Sequence, residues 1–349
     1  MTRMSPGDLR ARCRARRDRA IAAWFDTSVS LLSPGDQPLD VTRFDVEEAV
    51  QRIEPYVRRT PVLELEPRAF GLEGHLTLKL ELLQHTGSFK PRGAFNRILT
   101  ADIDESGVLA ASGGNFGLAV AYAAHALGHP AEIFVPATSP AMKIERIRSY
   151  GATVHVIDGF YAEAYAACEE RAFDTGAVFM HPYDQPAVVA GQGTIAAELT
   201  DQAPAVTTVI VAVGGGGLIA GIAAWYAGDA RVVGVEPDRC PTLSAAMQAG
   251  EPVDVEVGGV AADALGAFRA GTIGFGIATR FVQQVVTVSD EDIMRARRLL
   301  WDECRVATEP GAAATLAALL SGAYPPLPDE RVCLVLCGAN ADPSDLGSD

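Results

Sequence analysis

From Asp45 onward, short apolar runs alternate with longer stretches in which apolar residues recur every three or four positions. The runs LTLKLEL (76–82), GVLAAS (107–112), AEIFVP (131–136), TVHVI (153–157), TVIVAV (208–213), RVVGVE (231–236) and VCLVLC (332–337) read as strands. Most are apolar on both faces, as in sheets covered by helices on either side. Between them, VEEAVQRIEPYV (46–57), FGLAVAYAAHAL (116–127), YAEAYAACEERAFDT (161–175) and GLIAGIAAWYA (217–227) carry helical spacing. This alternation predicts an α/β fold with a largely parallel sheet. No internal repeat interrupts it.

The length of 349 residues favours two domains. The strand–helix series over 106–181 reads as a smaller domain, and 41–105 with 182–349 as the larger. Residues 1–40, set apart by Ser33-Pro34-Gly35-Asp36, read as a partly flexible or loosely docked N-terminal extension.

A chain that is 48 % hydrophobic and 21 % charged is globular, which excludes disordered, collagenous and coiled-coil classes. No window approaches the run of about eighteen apolar residues needed to cross a bilayer, and no secretion signal opens the chain. Net charge is −15, although the first nineteen residues hold seven Arg against two Asp. So acidic a body repels nucleic acid. The six cysteines (13, 168, 240, 304, 333 and 337) form no C-x-x-C pair and fit free thiols in the cytoplasm. The six histidines show no metal-ligand spacing.

Of 29 basic residues only Lys79, Lys90 and Lys143 are lysine. Arginine stays charged, whereas a buried lysine can lose its proton and form an imine, so a surviving lysine points to a needed amine.

Four strand ends run into turns suited to chemistry, where ligands of open α/β sheets collect. In HTGSFKPRGAFNRI (85–98), Lys90 precedes Pro91 at a helix start, where the positive end of the helix dipole disfavours an ammonium. The turn AASGGNFG (110–117) aims amides and a hydroxyl at one point, which suits a carboxylate, although a plain helix cap explains Asn115 equally well. In VIVAVGGGGLIAGIAAW (209–225), four glycines between a buried strand and a helix gain nothing from packing and make sense against a phosphate. Gly215, Gly217 and Ala220 also match the dinucleotide fingerprint, with Glu236 at the end of the next strand, so an NAD-dependent oxidoreductase stands as an alternative. The fourth end, VCLVLCGAN (332–340), closes on Cys337. Its thiol, a poor proton source, gains a role only opposite a heteroaromatic nitrogen. A lysine amine, a phosphate cradle on Gly214–Gly217, a carboxylate cradle and a strand-end thiol together describe a pyridoxal-phosphate site.

TGSFKPRGAFN, ASGGNFGLAVAYAA, HPYDQPAVVAGQGT, VAVGGGGLIAGIA, ATEPGAAA and LCGAN resemble, in order and spacing, the serine/threonine dehydratase family, which includes serine racemase. The likeness runs from about Asp45 to Asn340. It implies two open, twisted, mostly parallel sheets flanked by helices, a large and a small domain with pyridoxal 5'-phosphate between them, and a homodimer. By position, Lys90 resembles the Schiff-base lysine, Phe89 packs beside the ring, and Asn115 bonds the ring's phenolic oxygen. Gly214, Gly215, Gly216 and Gly217 form the phosphate loop, Glu309 lies near the ring, and Cys337 stands at the ring nitrogen. Ser112, Gly113, Gly114 and Asn115 fall at the substrate carboxylate.

The chain also departs from its relatives. Serine racemase carries a second acid/base serine where this chain has Gly113, which favours elimination over racemisation. Cys337 leaves the ring nitrogen largely unprotonated. Glu236 is followed by Cys240 and Thr242 rather than an aspartate, so no metal site is implied. The likeness ends near Asn340 and leaves no room for the regulatory domain of biosynthetic threonine deaminases, so feedback control by isoleucine is not expected. The implied activity is α,β-elimination from L-threonine or L-serine, giving a 2-oxo acid and ammonia. Dehydration of another β-hydroxy amino acid, β-replacement and racemisation are the nearest alternatives on the same scaffold.

Overall fold

The computed structural model describes residues 40–139 and 141–347, so the N-terminal extension lies outside the described residues apart from Asp40. Helix α1 (Arg43–Ile53) begins at a capping box: the Thr42 hydroxyl accepts from the Asp45 amide and the Asp45 carboxylate accepts from the Thr42 amide. It stops two residues before Pro55, short of the predicted 57. After β1 (Val62–Glu64) and β2 (His75–Lys79), α2 (Pro91–Leu99) starts on its proline.

The next stretch forms β3 (Val108–Ala111), α3 (Asn115–Leu127), β4 (Ala131–Pro136), α4 (Ala141–Ser149), β5 (Thr153–Ile157), α5 (Tyr161–Thr175) and β6 (Val178–Phe179). These strands make an all-parallel sheet in the order β5-β4-β3-β6. Both its faces are covered, as the double-sided apolar pattern predicts. Val108 and Ala110 of β3 join the core that holds α3, whereas Leu109 and Ala111 join the one that holds α5.

The chain then runs through α6 (Pro186–Gln202), β7 (Thr208–Ala212), α7 (Gly217–Tyr226), β8 (Arg231–Pro237), α8 (Thr242–Ala249), α9 (Ala262–Leu265), α10 (Thr272–Phe281), β9 (Val282–Val288), α11 (Asp290–Cys304), α12 (Pro310–Leu320) and β10 (Arg331–Val335). The larger sheet has the order β1-β2-β10-β7-β8-β9 and is parallel except for β1 against β2. Strand β10, the last in the chain order, therefore sits between β2 and β7.

Helix α6 is the hub of the larger body and crosses α2 and α7 on glycines. A Cβ on Gly191 would lie 2.6 Å from the Arg92 carbonyl, and one on Gly221 would lie 2.3 Å from the Val189 carbonyl. Only bare backbone allows so close an approach.

Candidate active site

Lys90 takes the N-cap position of α2, and its loop is sewn to the end of β10. Leu82 donates to the Leu336 carbonyl, Phe89 to that of Cys337, and Ala339 to that of Gly87. The central strand of the larger sheet thus fixes where the lysine stands. Its amine donates to the Pro182 carbonyl at 2.8 Å and lies 5.1 and 5.5 Å from the centres of the Phe89 and Phe116 rings. Burial lowers its pKa to about 8, against an opposing pull from Cys337 and Glu309. Burial thus acts in the same direction as the helix dipole invoked from the sequence. The other two lysines are ion-paired, Lys79 with Glu198 and Lys143 with Asp263.

One cleft gathers Phe89, Lys90, Asn115, Gly214, Gly215, Gly216, Gly217, Glu309 and Cys337 from five separate parts of the chain. Tyr183, Ala264 and Leu265 add to its wall. Ser112, Gly113 and Gly114 do not line this cleft but directly precede Asn115 at the start of α3. Among the described residues no side chain caps that helix, so its first amides are open to a ligand. The capping alternative for Asn115 fails, because the residue sits inside the first turn and its side chain turns elsewhere. Its amide nitrogen donates to both oxygens of Glu309, at 2.9 and 3.0 Å. Burial raises the pKa of the Glu309 carboxyl and drives the Cys337 thiol upward, so that thiol stays protonated.

The glycine loop corrects one expectation from the sequence: packing does demand some of these glycines. A Cβ on Gly215 would sit 2.4 Å from the Tyr183 ring, one on Gly217 would sit 2.7 Å from the Tyr183 carbonyl, and one on Gly214 would sit 3.0 Å from that of Leu265. Gly216, at φ +93°, precedes α7 with no side-chain cap, which leaves the first amides of that helix open to an anion.

Reasoning from sequence passed over His181, Pro182 and Asp184, although HPYDQP lay in plain view. Burial lowers His181 to about 4, so the ring is neutral beside Lys90, and its Nδ1 accepts from the Asp184 amide at 2.9 Å. The Asp184 carboxylate accepts from the first amides of α10, Thr272 and Ile273, each at 3.0 Å. Arg92, two residues past Lys90, is also a find. Fully buried, it bonds Glu81 of the β2–α2 connection and Glu198 of α6. It anchors the helix that begins with the lysine.

The dinucleotide alternative loses its acid, because the Glu236 carboxylate accepts from the amides of Leu243 and Ser244 and from the Ser244 hydroxyl. Among the described residues, no cluster of His, Cys, Asp and Glu is arranged to hold an ion.

Residues 53–338 match the pyridoxal-phosphate dependent enzyme family. An L-threonine ammonia-lyase of Thermotoga maritima is 36 % identical over 307 residues, covering 86 % of this chain and 76 % of that protein. A phenylserine dehydratase of Ralstonia pickettii is 36 % identical over 296 residues, covering 83 % of this chain and 90 % of that protein. Among solved structures, maize serine racemase superposes with a TM-score of 0.83 at 32 % identity, covering 88 % of this chain and 95 % of the other.

Proposed function

Because the chain belongs to the pyridoxal-phosphate dependent enzyme family, we propose that its cleft catalyses α,β-elimination from L-threonine and L-serine, releasing ammonia with 2-oxobutyrate or pyruvate. The observation that carries this reading is the placement of a depressed-pKa lysine, a glycine-lined helix start and a protonated strand-end thiol around one cleft. Those residues fit the cofactor. Gly214–Gly217 and the first amides of α7 would hold its phosphate, Phe89 would lie beside its ring, Cys337 would face the ring nitrogen, and Lys90 would hold its aldehyde carbon. When bound, pyridoxal phosphate supplies an electrophilic carbonyl and a conjugated ring that accepts the electron pair left at Cα.

Lys90, neutral in part near pH 8, takes the Cα proton as general base. Cys337 holds its own proton and would give little of it to a ring nitrogen placed opposite, an arrangement that would favour loss of the β-hydroxyl over return of a proton to Cα. Ser112, Gly113, Gly114 and the start of α3 bind the substrate carboxylate. Gly113 offers no hydroxyl to return a proton from the opposite face, which disfavours racemisation. The two bodies, 41–105 with 182–349 and 106–181, form the walls between which substrate binds. We further read the enzyme as a cytoplasmic homodimer; among the described residues, no helix is long and apolar enough to cross a membrane.

The test is a panel of amino acids assayed for ammonia, with and without a divalent ion. Threonine and serine should yield it, with β-phenylserine as the discriminating third substrate. Ammonia from phenylserine alone would move the assignment to larger β-hydroxy amino acids. Ammonia from none, with cofactor bound, would overturn elimination altogether.

A further inference from the structure

Asn340 lies just beyond β10, next to the glycine turn that carries Cys337, and belongs to neither the cleft lining nor the residues assigned above. Its side chain nevertheless sits in the middle of a directed chain of hydrogen bonds. Arg146 of α4 donates from Nη1 to Asn340 Oδ1 at 3.0 Å. Asn340 Nδ2 donates to the Thr86 carbonyl at 2.8 Å and to Asn115 Oδ1 at 2.7 Å. Asn115 Nδ2 then donates to Glu309.

The ends of this chain decide the orientation of both amides. A guanidinium has no acceptor and a backbone carbonyl has no donor, so Asn340 must turn its oxygen to Arg146 and its nitrogen to Thr86. Asn115 is then offered an N–H and must answer with its oxygen. Its nitrogen is left for Glu309, at the edge of the cleft. The loop before Lys90 is shaped around this side chain, since a Cβ on Gly87 would lie 2.7 Å from Asn340 Oδ1.

We propose that Asn340, oriented by Arg146 and the Thr86 carbonyl, is a positioning residue that locks the Asn115 amide with its nitrogen toward Glu309 and the cleft beside Lys90. This rests on the reading that Asn115 faces the cofactor's ring oxygen. A flipped amide would present a carbonyl there, oxygen against oxygen.

The test reads the visible absorption of the cofactor bound to each full-length variant, alongside thermal melting of the cofactor-free protein. Asn115→Ala should shift the band, and Asn340→Asp, which places an acceptor against Asn115 Oδ1, should shift it in the same direction. kcat should fall about tenfold, the scale of one lost hydrogen bond. Adding Asn340→Ala to Asn115→Ala should move the band no further. Should Asn340→Asp fail to fold, Arg146→Ala, at an exposed side chain, makes the same comparison, with Arg146→Lys restoring the band. A band shifted by Asn115→Ala but unmoved by Asn340→Asp and Arg146→Ala, with only melting lowered, would reduce Asn340 to a structural tie and overturn the proposal. A band that Asn115→Ala leaves in place would overturn the reading of Asn115, and the proposal with it.

Discussion

Lys79 is held by Glu198 and Lys143 by Asp263, whereas among the described residues the Lys90 amine forms no ion pair and meets a carbonyl and two aromatic rings. Hydride trapping of the holoenzyme should therefore place the cofactor's mass on the peptide containing Lys90 and on neither of the others. Lys90→Ala should abolish turnover; ammonia released from threonine at the wild-type rate would refute its role. The depressed pKa has a second consequence. Between about pH 8 and 10.5 the unfolded chain keeps the lysine proton while the folded, cofactor-free protein has lost it. The folded state binds fewer protons, so stability rises with pH through that window. Lys90→Met should remove this part of the slope in urea melts. Gly113 gives a different kind of prediction, because a Cβ there would lie 2.4 Å from Ser139 Oγ. Gly113→Ser alone must displace Ser139, so Gly113→Ser with Ser139→Gly should produce more D-serine in recovered substrate than the single change. Absence of D-serine from both would count against the assigned function of this position.

At the scale of elements, the strands that could be read were those with an unbroken or alternating run of apolar and β-branched residues, whether central and buried like β4 or at an edge and half-exposed like β5. AEIFVP and TVHVI match β4 and β5 residue for residue. LTLKLEL was read too long, because the chain leaves β2 at Lys79 to begin the turns that lead to Lys90. Strand β9, VQQVVTV, escaped notice because the exposed pair Gln283-Gln284 breaks its apolar run. Helix α6 escaped for a more instructive reason. Gly191 and Gly193 weaken its local helical signal, yet its packing against α2 and α7 requires them. The phosphate and lysine loops were visible because their residue types are scarce or costly, while Arg92 joins nearby Glu81 to Glu198, 106 residues on, and Asn340 bonds Asn115, 225 residues back. Gly191→Ala should force α6 off α2 and cost about 1–3 kcal/mol, measured as a lowered urea midpoint. Arg92→Met leaves two buried carboxylates, Glu81 and Glu198, to share the Lys79 ammonium, and about 3–5 kcal/mol should be lost. An unchanged midpoint in either variant would refute its packing account.

Across the whole molecule, the larger sheet takes strands from both sides of the segment that builds the smaller one. Helix α4 reaches back from the smaller body through Lys143 to Asp263 and through Arg146 to Asn340. Asp263 is exposed, so the first of these ties should contribute no more than about 1 kcal/mol and weaken with salt. Lys143→Ala should accordingly leave the urea midpoint nearly unmoved.

The seat of β10 between β2 and β7 bears on how the protein is born. Until Arg331–Val335 has left the ribosome, β2 and β7 have no common neighbour, and the turn bearing Lys90 has nothing to be stitched to. A nascent polypeptide halted before that strand has already made the lysine and all four loop glycines, yet it should not capture the vitamin. Coenzyme acquisition thus becomes one of the closing events of biogenesis.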